Sequence, residues 1–129
     1  YAAQNPNCPP ELLAEVLRRG KDDNVSWHAA QNFNCPPEVL AEVLRRGKDD
    51  VVSYYAAGNS TCPPELLAEV LRRGNSDVVS RNAASNPTYR KYLRKMKRDE
   101  KKIKLQEEKI NISVRSSVNN ILHGIQVNE

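Results

Sequence analysis

Aromatic residues are scarce in this chain: seven in 129, about 5%. A conventional core built around large rings is therefore excluded. Histidine occurs only twice, at His28 and His123. No Ser/His/Asp or Cys/His grouping, glycine-rich phosphate loop or metal-ligand spacing is present, so enzymatic chemistry is not expected of this chain. No apolar run approaches the roughly 18–20 residues needed to span a bilayer, and no membrane partner is expected. No charged-then-apolar leader opens the sequence. The cysteine count is three, an odd number that suits no disulfide framework. What remains is a chain that is 39% hydrophobic and 28% charged, with a formal net charge of +4. Its apolar fraction is high enough to build a core rather than a disordered polyampholyte.

An internal repeat decides the architecture. Cys8, Cys35 and Cys62 recur at a fixed spacing of 27, as do Asn5, Asn32, Asn59 and Asn86 and the Ala-Ala pairs that begin at Ala2, Ala29, Ala56 and Ala83. Blocks 8–34 and 35–61 agree at 20 of 27 positions, and so do 35–61 and 62–88. A gapless period of this length is the mark of one supersecondary unit stacked on copies of itself. Residues 1–7 match the end of a further unit, so the array is expected to extend upstream of Tyr1.

Each unit predicts two short helices. In the first, Cys8 is placed at the N-cap, Pro9 at the first helical position, where a missing N–H costs nothing, and Glu11 where it could reach back in a capping box. Leu12, Leu13, Val16 and Leu17 form the apolar stripe, and Gly20 after Arg18-Arg19 is the stop. Glu15 with Arg18 or Arg19 predicts exposed charge pairs along the same helix. In the second helix Asp23 is the expected N-cap, Val25, Ala29 and Ala30 the inward residues, and Asn32 the stop. Its two turns could be partly 3₁₀.

These residues resemble a known family. Asn-Pro-Asn-Cys-Pro-Pro-Glu-Leu-Leu (5–13), with Asp23, Val25 and Ala29-Ala30-Gln31-Asn32, is similar to the variant leucine-rich repeat of bacterial proteins over about residues 1–88. The resemblance implies an all-α fold, a right-handed helical-repeat solenoid with two short helices per 27-residue unit. The chain departs from the family pattern where cysteine replaces threonine (8, 35, 62), where Ser26 replaces arginine, and where Phe33 and Ser60 replace proline. The clustered cysteines of the family's iron–sulfur founding type are absent, and no cofactor or metal is carried over.

Equivalent atoms in stacked helices lie roughly 8–10 Å apart. That exceeds the ~4.4–6.8 Å between Cα atoms that a disulfide requires. The cysteines therefore read as small, semi-buried cap residues kept as free thiols, with mild reactivity the minor alternative, because a helix N-terminus can lower a thiol pKa. Free thiols point to a reducing, cytoplasmic location.

Differences among the copies cluster on the second helix. Trp27, Tyr54 and Arg81 are equivalent positions, as are His28, Tyr55 and Asn82; Gln31, Gly58 and Ser85; and Phe33, Ser60 and Pro87. With Asn24, Val51 and Val78 the variable stripe falls at i, i+3, i+4, i+7, one helical face, and Tyr1 and Gln4 continue it. Five of the seven aromatics (Tyr1, Trp27, Phe33, Tyr54 and Tyr55) lie on or beside it. A constant frame carrying an aromatic-rich variable ridge predicts a module that binds protein or peptide. The ridge residues are Tyr1, Asn24, Trp27, His28, Gln31, Val51, Tyr54, Tyr55, Arg81, Asn82 and Ser85. Packing of the same aromatics between units is the structural alternative. Single-stranded nucleic acid, bound by the same ridge with help from the basic C-terminal helix, is the alternative ligand, because these side chains are stacking types, and a purely structural spacer or self-assembling array is the third reading.

After Pro87 the repeat ends. Tyr89–Lys109 predicts one long helix, with Tyr92, Leu93 and Met96 capping the array. A break is expected at Asn111-Ile112-Ser113, with a short strand as the minor alternative. A last helix then carries Val114, Val118, Ile121, Leu122 and Ile125, with Ser113 as N-cap and Gly124 as stop. Charge is uneven: residues 1–88 carry 9 Lys/Arg and 11 Asp/Glu, a net of −2, whereas residues 89–129 carry 11 and 5, a net of +6. Arg90, Lys91, Arg94, Lys95, Lys97 and Arg98 are candidate contacts to phosphates or an acidic partner.

Overall fold

The computed structural model describes residues 2–127, and among these the chain is helical without strands. A 3₁₀ turn at Ala2–Gln4 precedes α1 (Pro10–Arg18), α2 (Asn24–Gln31), α3 (Pro37–Arg45), α4 (Val51–Gly58), α5 (Pro64–Arg72), α6 (Val78–Ser85) and α7 (Pro87–Val127). The three 27-residue units are thus three helix pairs, and every second helix is α rather than 3₁₀. Within a unit α1 packs on α2, α3 on α4 and α5 on α6. Between units like packs on like: α2 on α4 on α6, and α1 on α3 on α5. The chain divides into two units, one reaching to Tyr92 and one beginning at Leu93.

The caps of the second helices follow the expectation. Asp23, Asp50 and Asp77 accept from the amides of Ser26, Ser53 and Ser80 at 3.0, 2.9 and 2.9 Å. The Ser26 and Ser80 amides hold the carboxyls of Asp23 and Asp77 below the ordinary carboxylate value. Gly20, Gly47 and Gly74 end the first helices with φ near +70°, the left-handed conformation that disfavours side chains.

The start of the first helix is corrected by one residue. Pro9, Pro36 and Pro63 are the N-caps, the helices begin at Pro10, Pro37 and Pro64, and no side chain caps them. Two successive prolines leave so few N–H donors in that turn that a capping side chain has little to satisfy. Glu11 accordingly makes no reciprocal capping bond. Cys8, Cys35 and Cys62 stand one residue outside the helix and are buried core residues with free thiols. Burial pushes the Cys35 and Cys62 thiols up to about 12 from an ordinary 9.0, which suits unreactive core thiols and is opposite to the lowering a helix N-terminus causes. Iodoacetamide at pH 8 is expected to label them far more slowly in the native chain than in urea. Because the unfolded thiols ionise first, these thiols' contribution to stability should hold below pH 9 and decline as pH rises from 9 toward 12.

Leu13, Leu17, Leu40, Leu44 and Leu67 are fully buried, with Ala29, Ala30, Ala56, Ala57 and Ala83 on the facing helices. Alanine lets like helices approach closely. Ser26, Ser53 and Ser80 are buried as well, an inward position beyond those expected. Val25 departs from expectation: it is exposed, whereas Val52 and Val79 are buried. The later valines lie under the preceding helix pair, and before Val25 the described chain offers only the turn Ala2–Gln4 and the residues leading to α1. The same difference separates Leu12 and Val16 from Val39 and Val43.

The expected charge pairs within α1 are replaced by one to the next cap, Arg19 Nη2 with Asp23 Oδ1 at 3.2 Å, and by pairs between units. Arg18 makes two bonds to Glu42, Nε to Oε2 at 3.2 Å and Nη2 to Oε1 at 3.1 Å, and Arg45 approaches Glu69 at 3.8 Å. Arg46 and Arg73 donate to the backbone oxygens of Leu17 and Leu44 at 2.8 and 2.9 Å, satisfying carbonyls at the end of the preceding first helix.

The expected break at 111–113 is absent. One helix runs from Pro87 to Val127, without a cap at Ser113 or a stop at Gly124. Isolated Ser and Asn residues lower helix propensity only slightly, and neither proline nor a glycine in the left-handed conformation interrupts the backbone. Tyr89 packs against the repeat core, and Tyr92 and Leu93 are half-buried. Met96 does not serve as a cap: it is 50% exposed, and every residue from 94 to 124 is exposed.

Candidate binding ridge

The second helices carry the variable stripe, and the structure sorts its members into two sets. Asn24, Gln31, Val51, Tyr54, Arg81 and Ser85 are exposed. Trp27, His28, Tyr55 and Asn82 are half-buried. Tyr1 lies outside the described residues, as does the side chain of Ile125.

The second set turns toward the neighbouring unit. Gln4 Nε2 donates to His28 Nε2 at 2.8 Å. Asn82 Nδ2 donates to the Tyr54 carbonyl at 2.6 Å and lies against Gly58. A position near the end of one second helix therefore meets a position in the middle of the next, and the same offset relates Gln31 to Tyr55. Variability here records matched pairs: where Asn82 leans over, its neighbour is glycine. A Cβ at residue 58 would sit 2.5 Å from Asn82 Nδ2. In the wild type Gly58→Ala displaces the end of the Asn82 side chain from the Tyr54 carbonyl, an exposed bond whose loss offsets the gain in helix propensity, so the net change is expected to be under about 0.5 kcal/mol. In an Asn82→Ala background the same change should stabilise by about 0.5–1 kcal/mol. Thermal or urea unfolding of the four chains measures this coupling.

Trp27 is anchored at its polar end. Its Nε1 donates to Asp22 Oδ1 at 2.6 Å, and the same oxygen accepts the Val52 amide of α4 at 2.9 Å. Burial opposes ionisation of Asp22, but the Trp27 indole and the Val52 and Val51 amides outweigh it and hold the carboxyl below its ordinary value. Trp27 thus braces two units, with its ring partly packed on the core.

Two of the variable aromatics stand in solvent, Tyr54 of the outward set and Phe33 beside it. Tyr54 is 37% exposed and meets Tyr55 edge-to-face, ring centroids 5.3 Å apart. Phe33, in the turn after α2, is 75% exposed. It borders a cleft of about 340 Å³ that Gln4, Pro6, His28 and Gln31 also line. Phe33 was recognisable as variable and aromatic, yet it follows the helix stop and so falls outside a stripe defined by helical spacing. A second cleft of about 530 Å³, lined by Leu12, Val16, Asn24, Val25 and His28 among others, is the apolar face that a preceding unit covers in later copies. Of the basic candidates, Arg90, Lys91, Arg94, Lys95, Lys97 and Arg98 are all exposed on α7. Among the described residues no cluster of side chains suited to a metal ion occurs, and no helix is long and apolar enough to cross a membrane. Comparison of the chain with protein-family models, with curated proteins and with solved structures gives no match.

Proposed function

We propose that this chain is a binding module, a right-handed helical-repeat solenoid of the variant leucine-rich repeat type. Its second helices recognise a protein or peptide, and the chain itself carries out no catalysis. The observation that carries the reading is the pair of solvent-exposed aromatics, Phe33 and Tyr54, on a frame whose other large apolar groups in α3–α5 are largely buried. Exposed aromatics beside a cleft are anchors for a partner's side chains, and Asn24, Gln31, Val51, Arg81 and Ser85 supply the adaptable positions around them. The buried thiols support a reducing, cytoplasmic setting.

Selection of a displayed peptide library on the chain tests this. Selected peptides should lose at least ~10-fold in affinity to Phe33→Ala or Tyr54→Ala, with the urea midpoint unchanged. Loss of stability in place of affinity would identify these rings as structural and sink the reading. The alternative, single-stranded nucleic acid, rests on the exposed basic run of α7. Binding to random single-stranded DNA or RNA that weakens steeply with salt and persists in both variants would favour it.

A further inference from the structure

The cations of α7 are placed on one side of the helix. Residues 94–104 hold seven Lys/Arg and two Asp/Glu, a net of +5, and all of them are exposed. At about 100° per residue the seven cations fall within one half of the helix surface. The four other residues, Met96, Asp99, Glu100 and Ile103, fall within the opposite half. Arg94, Lys97, Lys101 and Lys104 form one row, and Lys95, Arg98 and Lys102 form a second row roughly 110° around the axis. Arg90 and Lys91 begin the two rows one turn earlier. The face ends at Lys104, because Leu105, Glu108 and Ile112 lie on the same side beyond it. From Arg90 to Lys104 it is about 21 Å long.

Such a face repels itself. Like charges three and four apart, such as Arg94 with Arg98 and Lys97 with Lys101, destabilise a helix. Among the described residues the ion pair formed on α7 is Lys104 with Glu100, at 3.3 Å. The remaining neutralising charge has to come from a partner, and the two rows indicate its shape. We infer that this face of α7 binds double-helical DNA, lying along the major groove with one row toward each phosphate backbone. A helix is ~10–12 Å across and the groove ~12 Å wide, so a half-cylinder of cations meets both walls at once. A single strand needs only one row and gains from stacking rings, and no Phe, Trp or Tyr follows Tyr92. Double-stranded RNA has a major groove too narrow for side chains to read. Lysines outnumber arginines on the face and it carries no Asn or Gln, so its contacts are to phosphates and depend little on base sequence. An anionic lipid surface fits less well. Seating Met96 and Ile103 in it would carry Asp99 and Glu100 to the surface and turn the cation rows away. This site is separate from the second helices and does not depend on what they bind.

Fluorescence anisotropy of the full chain with a labelled, mixed-sequence DNA duplex tests the inference. Plotted as logarithms, the binding constant should fall with salt at a slope of about −4 to −6, roughly 0.9 per phosphate contacted. Lys97→Gln with Lys102→Gln, one from each row, should weaken binding at least ~10-fold and reduce the slope by about 2. Met96→Gln with Ile103→Gln, on the opposite half, should change the affinity by less than ~2-fold. Glutamine is a good helix former, so both variants keep α7 helical. The same sequence as a single strand or as an RNA duplex should bind at least ~10-fold more weakly. Phe33→Ala and Tyr54→Ala should leave duplex binding unchanged, which separates this site from the ridge. No duplex binding at low salt overturns the inference, as does an affinity that Lys97→Gln with Lys102→Gln leaves unchanged. Equal binding of the single strand or the RNA duplex overturns the major-groove arrangement. Displacement of the DNA by polyglutamate at matched charge also overturns it, in favour of an acidic polypeptide.

Discussion

Asn59→Ala is expected to destabilise the chain by about 3 kcal/mol, although it removes only a small polar side chain. Asn59 is buried between units, and its Nδ2 donates to the Ala30 carbonyl at 2.7 Å and the Asn32 carbonyl at 3.0 Å. These carbonyls belong to the C-terminal end of α2, where the last oxygens have no intrahelical donor. On its other side Oδ1 accepts from the Thr61 amide at 3.0 Å and hydroxyl at 2.9 Å. The arrangement recurs: Asn32 serves Ala3 and Asn5, and Asn86 serves Ala57 and Asn59. Alanine would leave the Ala30 carbonyl without its side-chain donor on one side of the unit boundary and the Thr61 amide without its acceptor on the other, and would weaken the hold on the Asn32 carbonyl, which keeps the Cys35 amide. Asn5→Ala is the internal control. Asn5 is exposed, and among the described residues its side chain accepts the Asn7 amide at 2.8 Å, within its own turn, so its loss should cost under ~1 kcal/mol. Urea unfolding, read as a midpoint shift at constant slope, distinguishes the two. Equal losses would mean that the ladder between units contributes nothing beyond the local turn.

Leu66→Ala is expected to cost about 2–4 kcal/mol and Leu12→Ala less than about 1 kcal/mol. The two leucines stand in the same local sequence, Pro-Glu-Leu-Leu-Ala-Glu-Val-Leu-Arg-Arg. Leu66 is 3% exposed and Leu12 39% exposed. Truncating Leu66 leaves a cavity under α3, whereas truncating Leu12 removes a side chain that is already partly in water. The comparison holds helix propensity constant and varies only the neighbour. Equal costs would show that the first helix of the array is covered in solution.

Much of the fold was legible because the chain states it three times. The period of 27, the Asp N-caps, the glycines at the ends of the first helices and the Leu and Ala core positions are local signals, repeated without gaps. The cysteines were misplaced by one residue because two prolines in succession both fit a helix start. The tail was read as two helices because Asn-Ile-Ser resembles a cap, yet nothing in that stretch prevents the backbone hydrogen bonds from continuing. The ridge was legible as a face but not in its division. Helical spacing cannot distinguish a side chain in solvent from one leaning half a turn toward the next unit.

The sequence alone therefore determined the unit, its helices and the stripe on which its copies differ. These follow from propensity, capping and periodicity within a few turns of chain. Tertiary structure decided which charges pair, why the asparagine recurs, which stripe residues remain free, and that α7 runs unbroken through 111–113. Arg18 finds Glu42 rather than Glu15 because packed helices bring residues 24 apart closer than neighbours on one helix. Asn59 is fixed by carbonyls 27 and 29 residues earlier. Such contacts depend on the spacing and rotation between units, quantities that no single unit encodes.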